Sequence, residues 1–435
     1  MTPIQTIPQQ PWMVDPDLQA VFAALQADGD PAHALLCVGG CVRDVLMDRP
    51  VVDVDLATIH PPDVTLARLN AAGIDVLEIG IEHGTVVARF EQKLFQITTL
   101  RVDVETDGRH ATVAYTDDWA ADASRRDFTM NALYADLDGH VFDPLGGMAD
   151  VEGRRVRFIG DANARIEEDA LRILRFFRFH AQFDSAAFDP DGLAACRAHF
   201  DMFANLSGER IRDELFKILL SPATGWMLNH TEYLDFFLEL FPADERPELA
   251  FSLAFIGARE RALDEADPLR RLAMLLPDPE GAASAAARLH LSNAATARLT
   301  AMASIPPGMT PKLYPHTRKL RLYDLGADAW RDAVILSWAR AEARAAEFAE
   351  LDVADDSDWL ELLRFPETWS PPMFPLQGAD VLAFGVPQGP EIGRHLAAVE
   401  NWWMIRDFKP DHAACVARLK WRLLWVGLRR RVGLG

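Results

Sequence analysis

Residues 35–56 read LLCVGGCVRDVLMDRPVVDVDL, and this stretch decides the fold class of the N-terminal part of the chain. The apolar run at 35–38 predicts a strand, Gly39-Gly40 predicts a turn, and residues 42–47 predict a short helix. Residues 51–56 alternate apolar and acidic side chains, which is typical of a second strand. This order of elements indicates an α/β unit.

The α/β pattern continues to about residue 143 and then changes. Further strands are predicted at residues 76–79, 85–90 and 94–100, a helix between Pro61 and Gly73, and a hairpin at Asp138-Gly139. Past residue 150 helix-period patterns take over, as at residues 167–179 and 209–220. We predict an α/β head with a mixed or antiparallel sheet and flanking helices over residues 1–150, an all-α neck over 151–225, and an all-α body and tail over 226–435. Within the head, residues 1–12 are expected to form a loose tail.

The composition is that of an ordinary globular protein, with 49% hydrophobic and 25% charged residues among 435. The formal net charge of -21 argues against a nucleic-acid partner, because phosphate binding relies on Lys and Arg. Arginine is nevertheless concentrated at residues 154–178 and at the C-terminus, so a polyanion could dock locally. With no apolar run long enough for a membrane and no signal-peptide pattern, we expect no membrane association and a cytoplasmic location.

Two acidic residues on one strand suggest a metal site. Period-2 alternation places Asp53 and Asp55 on one strand face, roughly 7 Å apart, where they could hold two cations about 4 Å from each other. The Gly39-Gly40 turn before a helix could contact a phosphate, although a glycine pair is also common simply for the turn. A solvent-exposed polar strand face is the alternative interpretation of the acidic pair.

The motifs GGCVRD at residues 39–44 and DVD at 53–55 resemble those of the polymerase β nucleotidyltransferase superfamily. The resemblance is to the branch that holds class II CCA-adding enzymes and bacterial poly(A) polymerases. It implies that Asp53 and Asp55 are catalytic and bind Mg²⁺, and that Gly40 and Arg43 contact the nucleotide phosphates. In many members the position of Gln96 carries a glutamate, a proposed third catalytic carboxylate, so this departure leaves the proton acceptor of the reaction open.

A second motif, RRDFTMNA at residues 125–132, resembles the sugar-binding motif of the same family. Ion pairing at a helix end is the alternative interpretation of its charges. The resemblance implies that Arg126 helps to hold the triphosphate and that Asp127 and Asn131 recognise the ribose 2′-hydroxyl. A carboxylate suits that task because it accepts a hydrogen bond that a deoxyribose cannot donate.

Residues 167–179, EEDALRILRFFRF, suggest a nucleobase site. If this segment is one helix, Asp169 and Arg172 are neighbours at i, i+3 and present an acceptor beside a donor. Cytosine and adenine each show an amine beside a ring-nitrogen acceptor, whereas guanine and uracil reverse that pattern. The pair would therefore accept CTP and ATP and reject GTP and UTP. An intrahelical ion pair is the alternative, and resemblance to the amino-acid template of CCA-adding enzymes favours base recognition.

The same resemblance extends to three further arginines. Arg175 and Arg178 match nucleotide-site positions, although Arg178 would point away from Asp169 in a regular helix, where a structural ion pair is equally plausible. Arg109 lies in residues 107–111, which resemble the flexible loop that governs the switch from C to A addition.

The resemblance implies an enzyme that adds CCA to the 3′ end of tRNA from CTP and ATP, with Mg²⁺ as cofactor. The tRNA would contact the site with its 3′ end and the helical tail with its acceptor stem or elbow. The alternatives are a bacterial poly(A) polymerase, an enzyme that adds only CC or only A, and an inactive RNA-binding relative. The region after the DVD strand lacks the basic run of poly(A) polymerases, which favours CCA addition.

Overall fold

The structure is a computed structural model that describes residues 1–431 except 27–28, 32, 78–79, 82–83, 108–109, 184–186, 222–230, 242–246, 277, 306–307 and 349–353. The chain divides into two compact units. The first comprises Met1–Arg246, Asp267–Leu272 and Ser284–Ser292, and the second Pro247–Ala266, Ala273–Ala283 and Asn293–Gly435. Within the described residues, no helix is both long enough and apolar enough to cross a membrane.

The first unit begins with a mixed sheet, as predicted. Its strands, together with a separate two-stranded sheet, are β1 (Gln5–Thr6), β2 (Leu35–Val38), β3 (Asp55–Thr58), β4 (Asp75–Leu77), β5 (Thr85–Arg89), β6 (Leu94–Thr99), β7 (Arg101–Asp107), β8 (His110–Tyr115), β9 (Tyr134–Ala135) and β10 (His140–Phe142). The large sheet has the order β1-β10-β9-β2-β3-β6-β5-β4, and β7 pairs with β8. Its strand pairs are antiparallel except for β3 with β6. The β9–β10 hairpin turns at Asp138-Gly139, as the sequence predicts.

Two local expectations were wrong. Residues 5–6 pair with β10 instead of belonging to a loose tail, and the neighbouring Ile7 is buried. The strand predicted at residues 51–56 begins only at Asp55, and Val52 is 87% exposed. Its partner strand explains the late start, because Val38, the last residue of β2, already lies opposite Asp55. Strands β7 and β8 pair on either side of residues 108–109, the middle of the predicted flexible loop, which lie outside the described residues.

Helices flank the sheet, and in the described residues after β10 all of the named elements are helices. Up to residue 240 they are α1 (Pro16–Leu25), α2 (Gly40–Leu46), α3 (Pro62–Ala71), α4 (Trp119–Ser124), α5 (Met148–Glu152), α6 (Ala162–Glu168), α7 (Leu171–Gln182), α8 (Pro190–Ala198), α9 (Gly208–Leu219) and α10 (Thr231–Leu240). After it they are α11 (Pro247–Glu260), α12 (Pro268–Ala273), α13 (Pro279–Arg288), α14 (Asn293–Ala303), α15 (Pro315–Phe348), α16 (Asp356–Leu363), α17 (Phe365–Thr368), α18 (Gly378–Leu382), α19 (Pro390–Ile405) and α20 (His412–Arg431). Gly326 has a non-helical backbone within α15. The change from α/β to all-helical structure past residue 150 agrees with the sequence pattern.

An aromatic cluster fixes helix α7 against the head. Phe128, in the segment that precedes β9, forms an isolated antiparallel bridge with Phe158. The Phe158 ring stacks on Phe176 of α7 at 5.4 Å, and the Phe128 ring meets Phe179 edge-on at 5.6 Å. Burial of each large apolar side chain contributes about 1.5–3 kcal/mol, so this cluster holds α7 firmly in place. The residues predicted to bind sugar and base are thereby brought to one side of the head.

Candidate active site

A tight turn at Gly39 ends strand β2 and starts helix α2. Gly39 has φ +73° and ψ -115°, a conformation that is open to glycine and strained for residues with a side chain. Its N–H donates to the carbonyl of Leu133 at 2.9 Å, which ties the turn to the neighbouring strand. Because Val38 lies opposite both Asp55 and Tyr134, the turn lies beside the first residue of β3.

The predicted metal ligands lie next to this turn. Asp55 opens β3, Asp53 lies just before the strand, and both are exposed. Although the Asp55 side chain reaches the surface, the surrounding protein limits its contact with water, and this desolvation raises its pKa. The nearby charge of Asp53 raises the pKa further, while Arg126 opposes the increase. The two carboxylates therefore interact electrostatically. Two adjacent carboxylates supply the oxygen ligands that hard divalent cations prefer, so the donor set fits such an ion.

Gln96 lies on the same side of the sheet. Leu56 pairs with Ile97 in the parallel register of β3 and β6, and extending that register by one residue places Gln96 beside Asp55. Gln96 is also exposed. A carboxylate at this position would be a third acidic group near Asp53 and Asp55. Gln96 has an amide there instead, and an amide cannot accept a proton as a carboxylate does.

A second group of three residues, Asp136, Asp138 and His140, also has carboxylate and imidazole atoms within 4.8 Å of one another. It lies in the β9–β10 turn, and Asp136 already accepts from the backbone N–H of Asp138 and from the backbone N–H and ring of His140. Strands β2 and β9 are antiparallel, and Ala135 lies opposite Cys37. The turn that follows Ala135 therefore lies near the start of β2, at the opposite end of that strand from Gly39. We therefore attribute the cluster to the hairpin turn and not to the acidic pair.

The predicted sugar residues form a continuous polar network with Arg43. Arg43 Nη1 donates to Asn131 Oδ1 at 2.6 Å, and Asn131 Nδ2 donates to Asp127 Oδ1 at 3.0 Å. Arg175 Nε then donates to Asp127 Oδ2 at 2.6 Å. Burial alone would raise the pKa of Asp127, but the charge of Arg175 and the hydrogen bonds it receives lower the pKa instead. Asp127 is therefore an ionised acceptor.

Arg43 is more deeply engaged than its predicted phosphate contact implies. It is 5% exposed and also donates to Asp44 Oδ1 through Nε and Nη2 at 3.0 and 2.8 Å. Its guanidinium carbon lies 5.0 Å from the centre of the Phe179 ring. The structure thus ties Arg43 to the sugar network, next to Gly40, where a Cβ would lie 3.7 Å from Arg43 Nη2.

The predicted base-reading pair is arranged differently from the helix expected at residues 167–179. Helix α6 ends at Glu168, and Asp169 has extended φ and ψ of -156° and 104° before α7 begins at Leu171. The break has a physical cause, because Asp169 Oδ1 accepts from the Leu171 N–H at 3.1 Å and Asp169 Oδ2 accepts from Arg210 Nη2 at 2.8 Å. Asp169 therefore begins the new helix instead of continuing the old one.

Arg172 pairs with a different carboxylate. Its Nη1 donates to Glu168 Oε2 at 2.7 Å and to the carbonyl of Arg165 at 3.1 Å. The alternative of an Asp169–Arg172 ion pair is thus not what the structure has. Instead, an acceptor held by Arg210 and a donor held by Glu168 flank the junction between α6 and α7.

Arg178 forms the structural ion pair that was the alternative interpretation. Its Nε lies 3.1 Å from Glu214 Oε2, and its guanidinium carbon lies 4.2 Å from the centre of the Phe179 ring. Glu214 is 5% exposed and belongs to α9. Arg109, the loop residue of the sequence prediction, lies outside the described residues.

Several residues outside the predicted set of site residues hold the site together. Asp122, Glu168, Arg210 and Glu214 each pair with an arginine or acid of the predicted site. Asp122 could have been found from its position three and four residues before Arg125 and Arg126, a spacing typical of helical ion pairs. Glu168 has the same kind of signal, since it lies four residues before Arg172. Arg210 and Glu214 have no such local signal, because they reach the site from 36 residues or more along the chain.

Together the motifs and this arrangement define the class: a nucleotidyltransferase of the polymerase β superfamily, with a catalytic head followed by helices. Family models match at residues 35–157, described as "Poly A polymerase head domain", and at 187–246, described as "Probable RNA and SrmB- binding site of polymerase A". The "CCA tRNA nucleotidyltransferase 1, mitochondrial" proteins of Homo sapiens and Mus musculus are 34% and 33% identical to this chain. Each alignment covers 89% of this chain and 87% of the relative. The chain therefore belongs to the family of CCA tRNA nucleotidyltransferases.

Solved structures agree with this assignment and with the predicted fold class. The Bacillus stearothermophilus CCA-adding enzyme in complex with CTP matches with a TM-score of 0.72 and 26% identity, covering 96% of this chain and 100% of that one. The Thermotoga maritima CCA-adding enzyme complexed with tRNA-CCA shares the fold, with a TM-score of 0.62 and 17% identity over 97% of this chain and 100% of that one. The family and the fold class expected from the motifs are confirmed.

Proposed function

We propose that the protein adds CCA to tRNA that lacks it, transferring CMP twice from CTP and AMP once from ATP. The observation that carries this proposal is the series of hydrogen bonds from Arg43, beside the glycine turn, through Asn131 and Asp127 to Arg175 of α7. It occurs in a protein that aligns with CCA tRNA nucleotidyltransferases over 89% of its length. In each step the 3′-oxygen of tRNA forms a bond to the α-phosphorus, the bond from that phosphorus to the leaving oxygen breaks, and pyrophosphate departs.

Asp53 and Asp55 are the proposed catalytic pair and the ligands of Mg²⁺. Their carboxylate oxygens and mutual electrostatic interaction fit a small, hard dication. Bound Mg²⁺ would favour loss of the 3′-hydroxyl proton and neutralise charge on the departing pyrophosphate. Gln96 is no proton acceptor, so the 3′-hydroxyl proton would pass to water once the bound metal has lowered the pKa of that hydroxyl.

The phosphates are proposed to lie along the glycine turn. Gly40 leaves room for their close approach because it has no side chain, and Arg43 Nη2 lies 3.7 Å from the point where a Cβ would be, an ordinary contact distance. Arg43 contributes positive charge from beneath the turn while it holds Asn131. Arg126, whose charge reaches Asp55, supplies the second cation.

Asp127 and Asn131 are proposed to recognise the ribose 2′-hydroxyl. Arg175 keeps Asp127 ionised and fixes one of its oxygens at 2.6 Å, so the carboxylate offers acceptors in a set position. A deoxyribose cannot donate to this acceptor, and its rejection follows from the unmade hydrogen bond. The Arg43–Asn131 hydrogen bond links the recognition of sugar and phosphate.

Asp169 and Arg172 are proposed to read the base edge from the α6–α7 junction. Asp169 accepts from the exocyclic amine of cytosine or adenine, and Arg172 donates to the adjacent ring nitrogen. Arg178 stiffens α7 through Glu214, which favours the structural alternative for this residue over direct nucleotide contact. Arg109 remains a sequence-based proposal for the loop that governs the change from C to A addition.

The helical tail, within the proposed body and tail of residues 226–435, is proposed to hold the tRNA away from its 3′ end. On α20, Trp421 and Trp425 are exposed and stack on each other at 6.2 Å between ring centres. The guanidinium carbon of Arg418 lies 4.5 Å from the Trp421 ring centre. Exposed aromatic rings beside arginines favour RNA, since they stack on bases and attract phosphates.

The function is tested by incubating the purified protein with Mg²⁺, each NTP in turn and tRNA lacking its 3′ end. CTP alone should extend the tRNA by two nucleotides, CTP with ATP by three, and GTP or UTP by none. A long A tail would instead identify a poly(A) polymerase, and a stop after one type of nucleotide would identify an enzyme that adds only CC or only A. No extension, with tRNA still bound, would identify the inactive RNA-binding relative suggested by Gln96.

A further inference from the structure

A buried carboxylate lies behind the arginine proposed to hold the triphosphate. Asp122, on helix α4, is 1% exposed. Its Oδ1 accepts from Arg125 Nε and Nη2 at 2.9 and 2.8 Å, and its Oδ2 accepts from Arg126 Nε and Nη2 at 3.2 and 3.0 Å. One carboxylate therefore fixes two neighbouring guanidinium groups, and the three side chains together keep one positive charge.

Asp122 is also attached to the sheet at the strand that borders the glycine turn. The hydroxyl of Tyr134 donates to Asp122 Oδ2 at 3.0 Å. Tyr134 lies opposite Val38, the residue before Gly39, and its ring centre is 5.5 Å from the guanidinium carbon of Arg126. The anchor of Arg126 is thus set by the same strands that set the turn.

This anchor determines which edge of Arg126 faces the site. Asp122 takes the edge formed by Nε and Nη2, while Nη1 lies 4.0 Å from the point where a Cβ on Gly39 would be. The side chain of Arg126 is 19% exposed, so it is held in a partly buried position and not spread over the surface. The free energy of burying the Asp122 carboxylate is offset by the two guanidinium groups, whose charges outweigh burial and lower its pKa.

We propose that Asp122 is a positioning residue for nucleotide binding, which holds one edge of Arg126 so that Nη1 meets the triphosphate at the Gly39 turn. The inference rests on the proposed function, because it takes Arg126 as a triphosphate ligand. Asp122 itself does not touch the nucleotide. It acts through Arg126, and its loss should affect CTP and ATP alike because both carry the same triphosphate.

The test measures the dissociation constants of CTP, ATP and inorganic tripolyphosphate by calorimetry with the full chain and Mg²⁺, alongside the KM values for CTP and tRNA. The variants are Asp122→Asn, Arg126→Ala and the double variant. Asp150→Asn is the matched control, because Asp150 is also 1% exposed and pairs with two arginines, Arg155 and Arg157. The variant removes the charge of an equally buried carboxylate elsewhere in the head, although its partners Arg155 and Arg157 are 53% and 45% exposed.

We expect Asp122→Asn to weaken binding of all three phosphates about tenfold or more, because charge-assisted hydrogen bonds to Arg126 are lost. The KM for tRNA should not change, and Asp122→Asn should add little in the Arg126→Ala background. Asp150→Asn should lower thermal stability without weakening phosphate binding. Additive effects in the double variant, or equal binding by Asp122→Asn and the wild type, would overturn the inference.

A less disruptive variant covers the case in which Asp122→Asn does not fold. Tyr134→Phe removes one donor to Asp122 Oδ2 and keeps the ring, and it should weaken tripolyphosphate binding severalfold, whereas unchanged binding would contradict the proposal. Tripolyphosphate binding is measured without tRNA extension, so failure of the Asp122 proposal can be distinguished from failure of the proposed function. A wild-type protein that binds phosphate without extending tRNA refutes the proposed function while the comparison of variants still decides the role of Asp122.

Discussion

Replacing Asp53 or Asp55 with asparagine should reduce nucleotide transfer at least about 10³-fold. Each carboxylate is proposed to hold Mg²⁺ in the transition state, where such a contact supplies several kcal/mol, and each 1.4 kcal/mol corresponds to tenfold in rate. Asparagine keeps the size of the side chain but removes the negative charge that binds the dication. The measurement is single-turnover addition of CMP to tRNA lacking its 3′ end, over a range of Mg²⁺ concentrations.

The control for this experiment is Asp48→Asn. Asp48 is exposed and lies between helix α2 and strand β3, as Asp53 does. Its φ is +54°, a conformation that asparagine also tolerates. Its replacement should leave transfer unchanged, and the binding of tRNA should persist in all three variants. If either Asp53→Asn or Asp55→Asn keeps activity within about tenfold of wild type, that residue does not carry the proposed catalytic role.

Replacing Asp169 or Arg172 with alanine should reduce the selectivity for CTP and ATP over UTP and GTP. A site that rejects a substrate through unpaired polar groups can discriminate by about 10⁴-fold or more, so losing one partner should raise the relative kcat/KM for UTP or GTP by about 10²-fold. Activity with CTP and ATP should fall less than discrimination does. The measurement is a competition between NTP pairs on the same tRNA, followed by sequencing of the added nucleotides.

Asp169 also has a structural role, so the variants must separate that role from base recognition. Asp169 also caps the first turn of α7 and pairs with Arg210, so alanine could disturb the junction as well as the base contact. Asp169→Asn keeps an oxygen that can accept from the Leu171 N–H, and it places an amide N–H donor where the base edge needs an acceptor. It should therefore change the choice of base with a smaller loss of stability than alanine. Glu167→Ala, an exposed acid in the same segment, is the matched control. Unchanged selectivity in both Asp169 variants would remove Asp169 from the recognition of the base.

Much of the head was predictable because its elements have local signals. Apolar runs bounded by turns predicted β2, β5 and β6 within one or two residues, and Asp138-Gly139 predicted the β9–β10 hairpin. The strand at residues 51–56 was misplaced because its start depends on its partner. Strand β2 ends at Val38, so residues before Asp55 have no strand to pair with, and the alternating pattern continues there without a sheet.

The base-recognition segment shows the limit of local prediction more clearly. Residues 167–179 favour a helix throughout, yet the helix breaks at Asp169. The break depends on a tertiary partner, Arg210, which lies 41 residues away along the chain. The resemblance to a family identified which residue types belong to the site, but it could not show that Asp169 and Arg172 are held by different partners.

Asp122 was missed for a related reason. At three and four residues before two arginines, an aspartate is typical of an exposed helical ion pair, which stabilises by about 0.3–0.5 kcal/mol. Only the packing of α4 against the sheet buries it to 1% exposure and adds the hydroxyl of Tyr134. The spacing in the sequence predicts that Asp122 pairs with Arg125 and Arg126. The burial of Asp122, and hence its proposed role, follows only from the fold.

The most direct measurement of the central claim is a crystal structure with Mn²⁺ in place of Mg²⁺ and a CTP analogue that cannot be transferred, with data collected at the manganese absorption edge. We expect anomalous peaks coordinated by Asp53 and Asp55 against the triphosphate, with the cytosine edge facing Asp169 and Arg172. A triphosphate bound elsewhere, or manganese at the β9–β10 turn and none at the acidic pair, would contradict the account.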